Sequence, residues 1–357
     1  MKRKNLNFRT IWAIAWKDIK DALTNKNTIT NILVVICLVV FFWWGATPRP
    51  FDKNIDVAYF DQGSSTLTSH TEKFGDGYQF RFFEVDSPEE IRSSMGYKQL
   101  GIVIPADFDQ TVASGGEAVL TGYTMWVFRN SVAEMENKYS DLFSQMLGNP
   151  VQVKIGENIL KPEPGVHYNT VNFQVMWAVL FMALMVVPQL MLEEKQTKTM
   201  DALMISPVSP GGMVAGKALA GLFYILISGG LYLALNHAYV INWWLTILAF
   251  VCTAIFSIGL ALFMAGFIKN PQMIAILILP VVAVFVLPAM FQEEPLLIPS
   301  LRTIFGLIPT SAMVKIMGLS FSSYAPLQDL LINLGISLAG IVLVYAGVIW
   351  QVRHLDR

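Results

Sequence analysis

One apolar run, residues 29–44, is separated from five others by a long stretch that reads as water-soluble protein. A span needs roughly 20 mostly apolar residues to cross the hydrocarbon core of a bilayer. Six stretches meet that length, and an even number of crossings returns both termini to the same side. The pattern predicts a polytopic α-helical membrane protein of six transmembrane helices. A folded domain is held out on one face, between helices 1 and 2. Charged residues make up only 14% of the chain, against about 25% in ordinary soluble domains, and the C-terminal half supplies most of that deficit. The net charge of −1 gives no reason to expect a nucleic-acid partner.

Lys and Arg in short segments set the orientation. Lys2, Arg3, Lys4, Arg9, Lys17, Lys20 and Lys26 precede the first span. Lys195, Lys198 and Lys217 follow the second, Lys269 lies in the next loop on that side, and Arg353 and Arg357 close the chain. The opposite short segments carry only Arg302 and Lys315. Both termini are expected in the cytoplasm, of a multi-pass protein in a plasma (inner) membrane of bacterial type, with the soluble domain outside. The first span has a long leader and no A-x-A-like site after it, so it reads as a retained helix rather than a signal peptide.

The resulting organisation is a cytoplasmic N-terminus at 1–27, transmembrane helix 1 at 28–47, an extracellular domain at 48–170, and transmembrane helices 2–6 at 171–357. Within 8–24, Phe8, Ile11, Trp12, Ala15, Trp16, Ile19 and Leu23 recur at helical spacing, with Lys17, Asp18, Lys20 and Asp21 read onto the other face. Such an amphipathic helix suits the membrane interface. It is either an anchor for span one or an elbow helix, carried by Trp12, Trp16 and Ile19, that also touches a cytoplasmic partner. In the outer stretch, strands are expected at 55–60, 78–85, 100–104 and 118–128. Helices are expected at 64–73, after Asp86-Ser87-Pro88-Glu89-Glu90, and at 130–147. That alternation predicts a small α/β domain, flanked by stiff linkers at Pro48-Arg49-Pro50 and Lys161-Pro162-Glu163-Pro164-Gly165. Both cysteines, Cys37 and Cys252, fall in apolar spans, so that domain folds without a disulfide staple. Between spans five and six, 292–328 holds short apolar runs broken by Pro295, Pro299 and Pro309. It reads either as a re-entrant segment on the outer side or as a surface amphipathic loop.

The chain has no G-x-x-x-x-G-K-[ST], the loop that cradles nucleotide phosphates. Its four histidines are scattered without metal-ligand spacing, and no nucleophile–base arrangement can be assembled. No catalytic residue, metal or cofactor is assigned to it. The spans read as nearly free of ionisable residues away from their ends, where ion and proton pathways place them. Uncharged polar residues do occur there. Asn172, Gln174 and Gln189 are the candidates for a substrate path, although helix–helix hydrogen bonding explains each such residue better than a substrate contact does.

The most specific segment follows span two: Glu193-Glu194-Lys195-Gln196-Thr197-Lys198-Thr199-Met200-Asp201-Ala202-Leu203-Met204-Ile205-Ser206-Pro207-Val208-Ser209-Pro210. Met200, Leu203 and Met204 share one face of a short helix that Thr199 can cap and Pro207 ends. An exposed apolar knob tied at both ends to membrane helices is a docking element. The segment resembles the ABC-2 type permease family at Glu194, Lys195, Thr199, Asp201, Leu203, Ser206, Pro207, Val208 and Ser209. Gln196 stands where the family has an acid, and Lys198 where it has glycine. In the outer domain, Val57-Ala58-Tyr59-Phe60-Asp61 and Gly101-Ile102-Val103-Ile104-Pro105-Ala106-Asp107-Phe108 are also similar to members with a large loop after span one.

The resemblance implies the membrane subunit of an ATP-binding-cassette exporter. Two permease chains, as a homo- or heterodimer, would each dock a separate ATPase subunit that binds ATP and magnesium. The loop 193–217 would be the coupling loop, acting through Glu194, Thr199, Met200, Asp201, Leu203, Met204 and Pro207. Helices near spans one, two and five would line the path. An amphipathic or lipophilic cargo, such as a drug, peptide or lipid, would suit spans without charge. The rival reading is a membrane sensor or scaffold whose outer domain binds a ligand; it calls for a cytoplasmic output domain, and the cytoplasmic stretches here are short.

Overall fold

The computed structural model describes residues 8–46, 51–70, 77–95, 98–162, 169–196, 210–292 and 297–355. Contacts divide the chain into two units: a helical unit built from 1–46, 169–320 and 325–357, and an α/β unit built from 47–168 with 321–324.

The chain enters through α1 (Phe8–Thr24) and α2 (Lys26–Ala46). The α/β unit follows with β1 (Asn54–Asp61), β2 (Gln79–Glu84), α3 (Glu90–Ser94), β3 (Leu100–Ile104), α4 (Phe108–Ala113), β4 (Ala118–Met125), α5 (Val132–Leu147), β5 (Val151–Lys154) and β6 (Ile159–Leu160). The sheet order is β2-β1-β3-β4-β5, with β6 pairing β4. All neighbours are parallel except β3 and β4. Every residue of β3 is buried, as a central parallel-type strand requires. Phe80 of β2 stacks on Phe143 of α5 with ring centroids 4.4 Å apart and planes 5° from parallel. Tyr139, Leu142 and Met135 complete the buried face of α5, and burial pushes the Tyr139 phenol far above its ordinary pKa. Gly148, in the left-handed region at φ 70°, ends α5, where a side chain would be strained.

Several expectations need correction here. Within 64–73 the described residues form only a 3-10 turn at Leu67–Ser69: the Asp61 and Asp109 carboxylates bind the Ser65 and Thr66 backbone N–H groups, which holds a turn rather than a helix start. The strand expected at 118–128 ends at Met125, and Trp126–Ser131 is a 3-10 turn. The short elements α4, β5 and β6 were not expected, since each is too brief to show a period. Residues 321–324 group with this unit, where the Ser323 N–H donates to the Pro162 carbonyl at 2.8 Å.

The helical unit continues with α6 (Asn169–Gln196), α7 (Pro210–Leu235), α8 (Trp243–Phe267) and α9 (Pro271–Val281). A π turn at Val282–Val286 leads into α10 (Leu287–Phe291), and α11 (Pro299–Gly306), α12 (Pro309–Ser320) and α13 (Leu327–Leu355) follow. Asn270 caps α9, its side chain accepting from the Met273 N–H at 3.0 Å, with Pro271 in the first turn, a combination suited to a helix start. Pro280 and Pro288 remove two N–H donors around the π turn, and the Thr310 hydroxyl of α12 donates to the Phe285 carbonyl within it. Such wide turns in helices recur at functional sites.

Among the described residues, six helices are long and apolar enough to cross a membrane. The pair α11 and α12 is bent by 87°, and neither alone reaches spanning length. Helices α6 and α8 are the most buried, whereas α2, α9–α10 and α13 keep broad apolar faces exposed. Backbones approach closely at small residues, as helix packing in lipid favours. A Cβ on Gly221 would come within 2.5 Å of Val187, and one on Gly229 within 2.4 Å of Phe250.

Candidate functional site

The three candidate polar residues of α6, Asn172, Gln174 and Gln189, lie toward opposite ends of the helix. Asn172 and Gln174 sit near its start and Gln189 near its end, about 25 Å away at 1.5 Å per residue. Gln174 accepts a hydrogen bond from the Tyr232 hydroxyl of α7, and both side chains are buried. The Asn172 side chain lies against Gly318 of α12, and its Oδ1 is buried without a hydrogen-bond partner among the described residues. Gln189 instead lines a cavity of about 340 Å³ with Thr30 and Asn31 of α2, Met185 of α6, and Ile274, Ala275 and Ile278 of α9. The cavity thus lies among spans one, two and five. Its lining combines the amides of Asn31 and Gln189 and the Thr30 hydroxyl with the apolar side chains of Met185, Ile274, Ala275 and Ile278. A neutral amphipathic group can satisfy both, whereas a bare charge would be desolvated there without a partner.

A separate cluster of polar groups lies at the junction of α1, α6 and α7. The sequence reading put Asp18 on a solvated polar face and Lys217 in a cytoplasmic loop. The structure corrects both. Ile14, Ala15, Asp18, Ile19 and Ala22 are the buried face of α1, an i, i+3, i+4, i+7 set, while Phe8, Trp12, Trp16 and Leu23 are exposed. Lys217 lies inside α7 with its side chain 0% exposed, and its Nζ is 3.3 Å from Asp18 Oδ2, itself 4% exposed. The same ammonium donates to the Leu190 carbonyl of α6 at 3.2 Å. The Tyr224 hydroxyl donates to the Ile19 carbonyl at 2.8 Å. Ile14 packs so closely on Gly216 that a Cβ there would lie 2.6 Å from its Cγ2. The sequence signal for Lys217 is a single cation in an otherwise apolar run, with Asp18 and Asp21 on a neighbouring amphipathic helix as acids that could pair with it.

Of the elbow residues, Trp12 and Trp16 are exposed, with Lys20 5.4 Å from the Trp16 ring centroid, and Ile19 is buried. Thr199, Met200, Asp201, Leu203, Met204 and Pro207 lie outside the described residues. Glu194 falls within the backbone of α6, which runs to Gln196; the next described residue is Pro210, where α7 begins. Among the described residues no group of His, Cys, Asp and Glu is placed to hold a metal ion.

The family model described as "ABC-2 family transporter protein" matches residues 26–350. The match begins at α2, takes in the whole α/β unit and ends near the close of α13. No protein of curated function matches the chain.

Proposed function

Since this chain belongs to the ABC-2 family of transporter proteins, we propose that it is the exporting membrane subunit of an ATP-binding-cassette transporter. In this reading two such chains pair, and each docks a separate ATPase through residues 199–206. Family membership makes the chain a multi-pass membrane transport protein; pairing, docking and cargo are the proposal. The observation that carries it is the extent of the match, which covers every spanning helix and the α/β unit in one order.

The apolar face of Met200, Leu203 and Met204 is the ATPase contact. ATP-driven closure pushes it, and the push reaches α6 and α7, which flank it. The α/β unit lies outside the cell and α1 lies in the cytoplasmic interface of the plasma membrane, its exposed Trp12 and Trp16 facing the headgroups. The cargo is amphipathic or lipophilic. The cavity at Gln189, lined also by Thr30, Asn31, Ile274 and Ile278, supports that class because it brings polar uncharged groups together with apolar ones.

The test is Leu203→Asp, expressed with the ATPase. Burying a Leu side chain is worth roughly 1.5–3 kcal/mol, and an unpaired carboxylate at the contact adds to the loss. Since about 1.4 kcal/mol is tenfold, recovery of the ATPase with the membrane chain should fall by tenfold or more while the variant still inserts. Undiminished recovery and ATP hydrolysis would make the loop a mere connector.

A further inference from the structure

Three helices converge on one ammonium. Lys217 Nζ sits on α7, reaches the Asp18 carboxylate of α1 at 3.3 Å and binds the Leu190 carbonyl of α6 at 3.2 Å. Leu190 lies shortly before α6 reaches Gln196, and Lys217 shortly after α7 starts at Pro210. The segment 197–209 therefore leaves from and returns to helices that are tied together by this lysine. Two further contacts hold α1 in the same seat: Ile14 against Gly216, and the Ile19 carbonyl on the Tyr224 hydroxyl.

Stability does not explain an ion pair here. Burying two charges is costly, and apolar side chains of similar volume often replace such pairs without loss. An ion pair supplies direction instead. An apolar contact tolerates sliding of α1 along α7, whereas an ammonium held by both the carboxylate and the carbonyl loses contacts as soon as either helix shifts. We propose that Asp18 and Lys217 are positioning residues that lock α1 to the two helices flanking 197–209, so that a push on that segment moves α1, α6 and α7 as one body. This rests on the reading of 199–206 as the ATPase contact.

The test uses the full chain, purified with its ATPase, with Cys37→Ser and Cys252→Ala. Spin labels are placed at Lys20→Cys on α1 and Ile227→Cys on α7, both exposed sites. The distance distribution is measured without nucleotide and after trapping with ATP and vanadate. The unaltered pair should give a single distribution that trapping leaves unchanged. Single variants such as Lys217→Met strand a buried carboxylate and can fail to fold, so the deciding variant is the double Asp18→Leu/Lys217→Met. It should melt at or above the temperature of the unaltered complex, yet show a second distance population on trapping. If its two distributions coincide, the pair is packing and the proposal falls. A preparation of the unaltered chain that carries no ATPase overturns the loop reading and the joint with it. That outcome is distinct from failure of the joint alone, in which the ATPase is recovered and the distances still coincide.

Discussion

Replacing Gln174 separates a structural amide from one that meets cargo. The Tyr232 hydroxyl is buried and donates to Gln174 Oε1. Gln174→Leu leaves that hydroxyl without an acceptor, a loss of roughly 1–3 kcal/mol in protein interiors. Hydrogen bonds inside helix bundles in lipid average about 0.6 and reach about 1.7 kcal/mol, so the lower part of the range, about 1–2 kcal/mol, applies. Tyr232→Phe strands the amide oxygen instead and should cost a similar amount. The double variant removes both polar groups and should be near neutral, leaving a coupling of about 2–4 kcal/mol between the sites, the sum of the two single losses. For a unit of this size, 1 kcal/mol moves the melting temperature by roughly 2–4 °C. Each single variant should therefore melt about 2–8 °C lower, and the double variant close to the starting value. The assay is thermal unfolding of the detergent-solubilised chain, followed by loss of its monodisperse elution peak. A Gln174→Leu chain that melts normally but loses transport, with no rescue by Tyr232→Phe, would refute the assignment and place Gln174 on the cargo path.

Three further outcomes follow from named contacts. Gly216→Val drives a side chain into Ile14 and the Ile11 carbonyl; overpacking of this kind costs about 1–3 kcal/mol, so folded yield should drop and Ile14→Ala should restore part of it, and a normal yield would show that α1 is not seated on α7. A fragment spanning 51–162 should melt cooperatively without disulfides, and Phe143→Ala, which removes the ring stacked on Phe80, should cost it about 3–5 kcal/mol in a urea titration; a fragment with no cooperative transition would contradict the two-unit organisation. Burial alone would raise the Asp109 carboxyl, but hydrogen bonds from Ser65 and Thr66 outweigh it and hold its pKa below the usual carboxylate range. That contribution is present above the ordinary aspartate pKa and is lost as pH falls through the lower folded pKa, so Asp109→Asn should flatten the acid side of the fragment's stability curve, and parallel curves for the two would refute it.

Much of the architecture was legible because lipid imposes a coarse code. Long apolar runs announced six spanning helices, and the first of them, 29–44, lies within α2. The strands β1 and β3 were legible from alternation and from a continuous apolar run. What sequence did not reveal depended on contacts between distant residues. Asp18 follows Lys17 and precedes Lys20, so it looked like part of a solvated face until Lys217, far along the chain, was brought against it. The turn at Leu67–Ser69 hid in a helix-like stretch because its determinant, Asp109, lies far downstream. The π turn at Val282–Val286 sits between two prolines that were visible, but its partner Thr310 was not. Of the candidate polar residues, periodicity gave no way to tell Gln189, which lines a cavity, from Gln174, which is engaged by a tyrosine.

The central claim, that this chain works with a separate ATP-hydrolysing subunit, is tested most directly by purifying the tagged full chain from its native membrane in mild detergent, identifying the recovered proteins by peptide mass and measuring vanadate-sensitive ATP hydrolysis. The account predicts an ATP-binding-cassette ATPase in a one-to-one ratio with the chain, hydrolysis that travels with the complex, and loss of both in the Leu203→Asp variant. A pure, folded, monodisperse chain that carries no such subunit and supports no hydrolysis when its candidate ATPase is added back would contradict it.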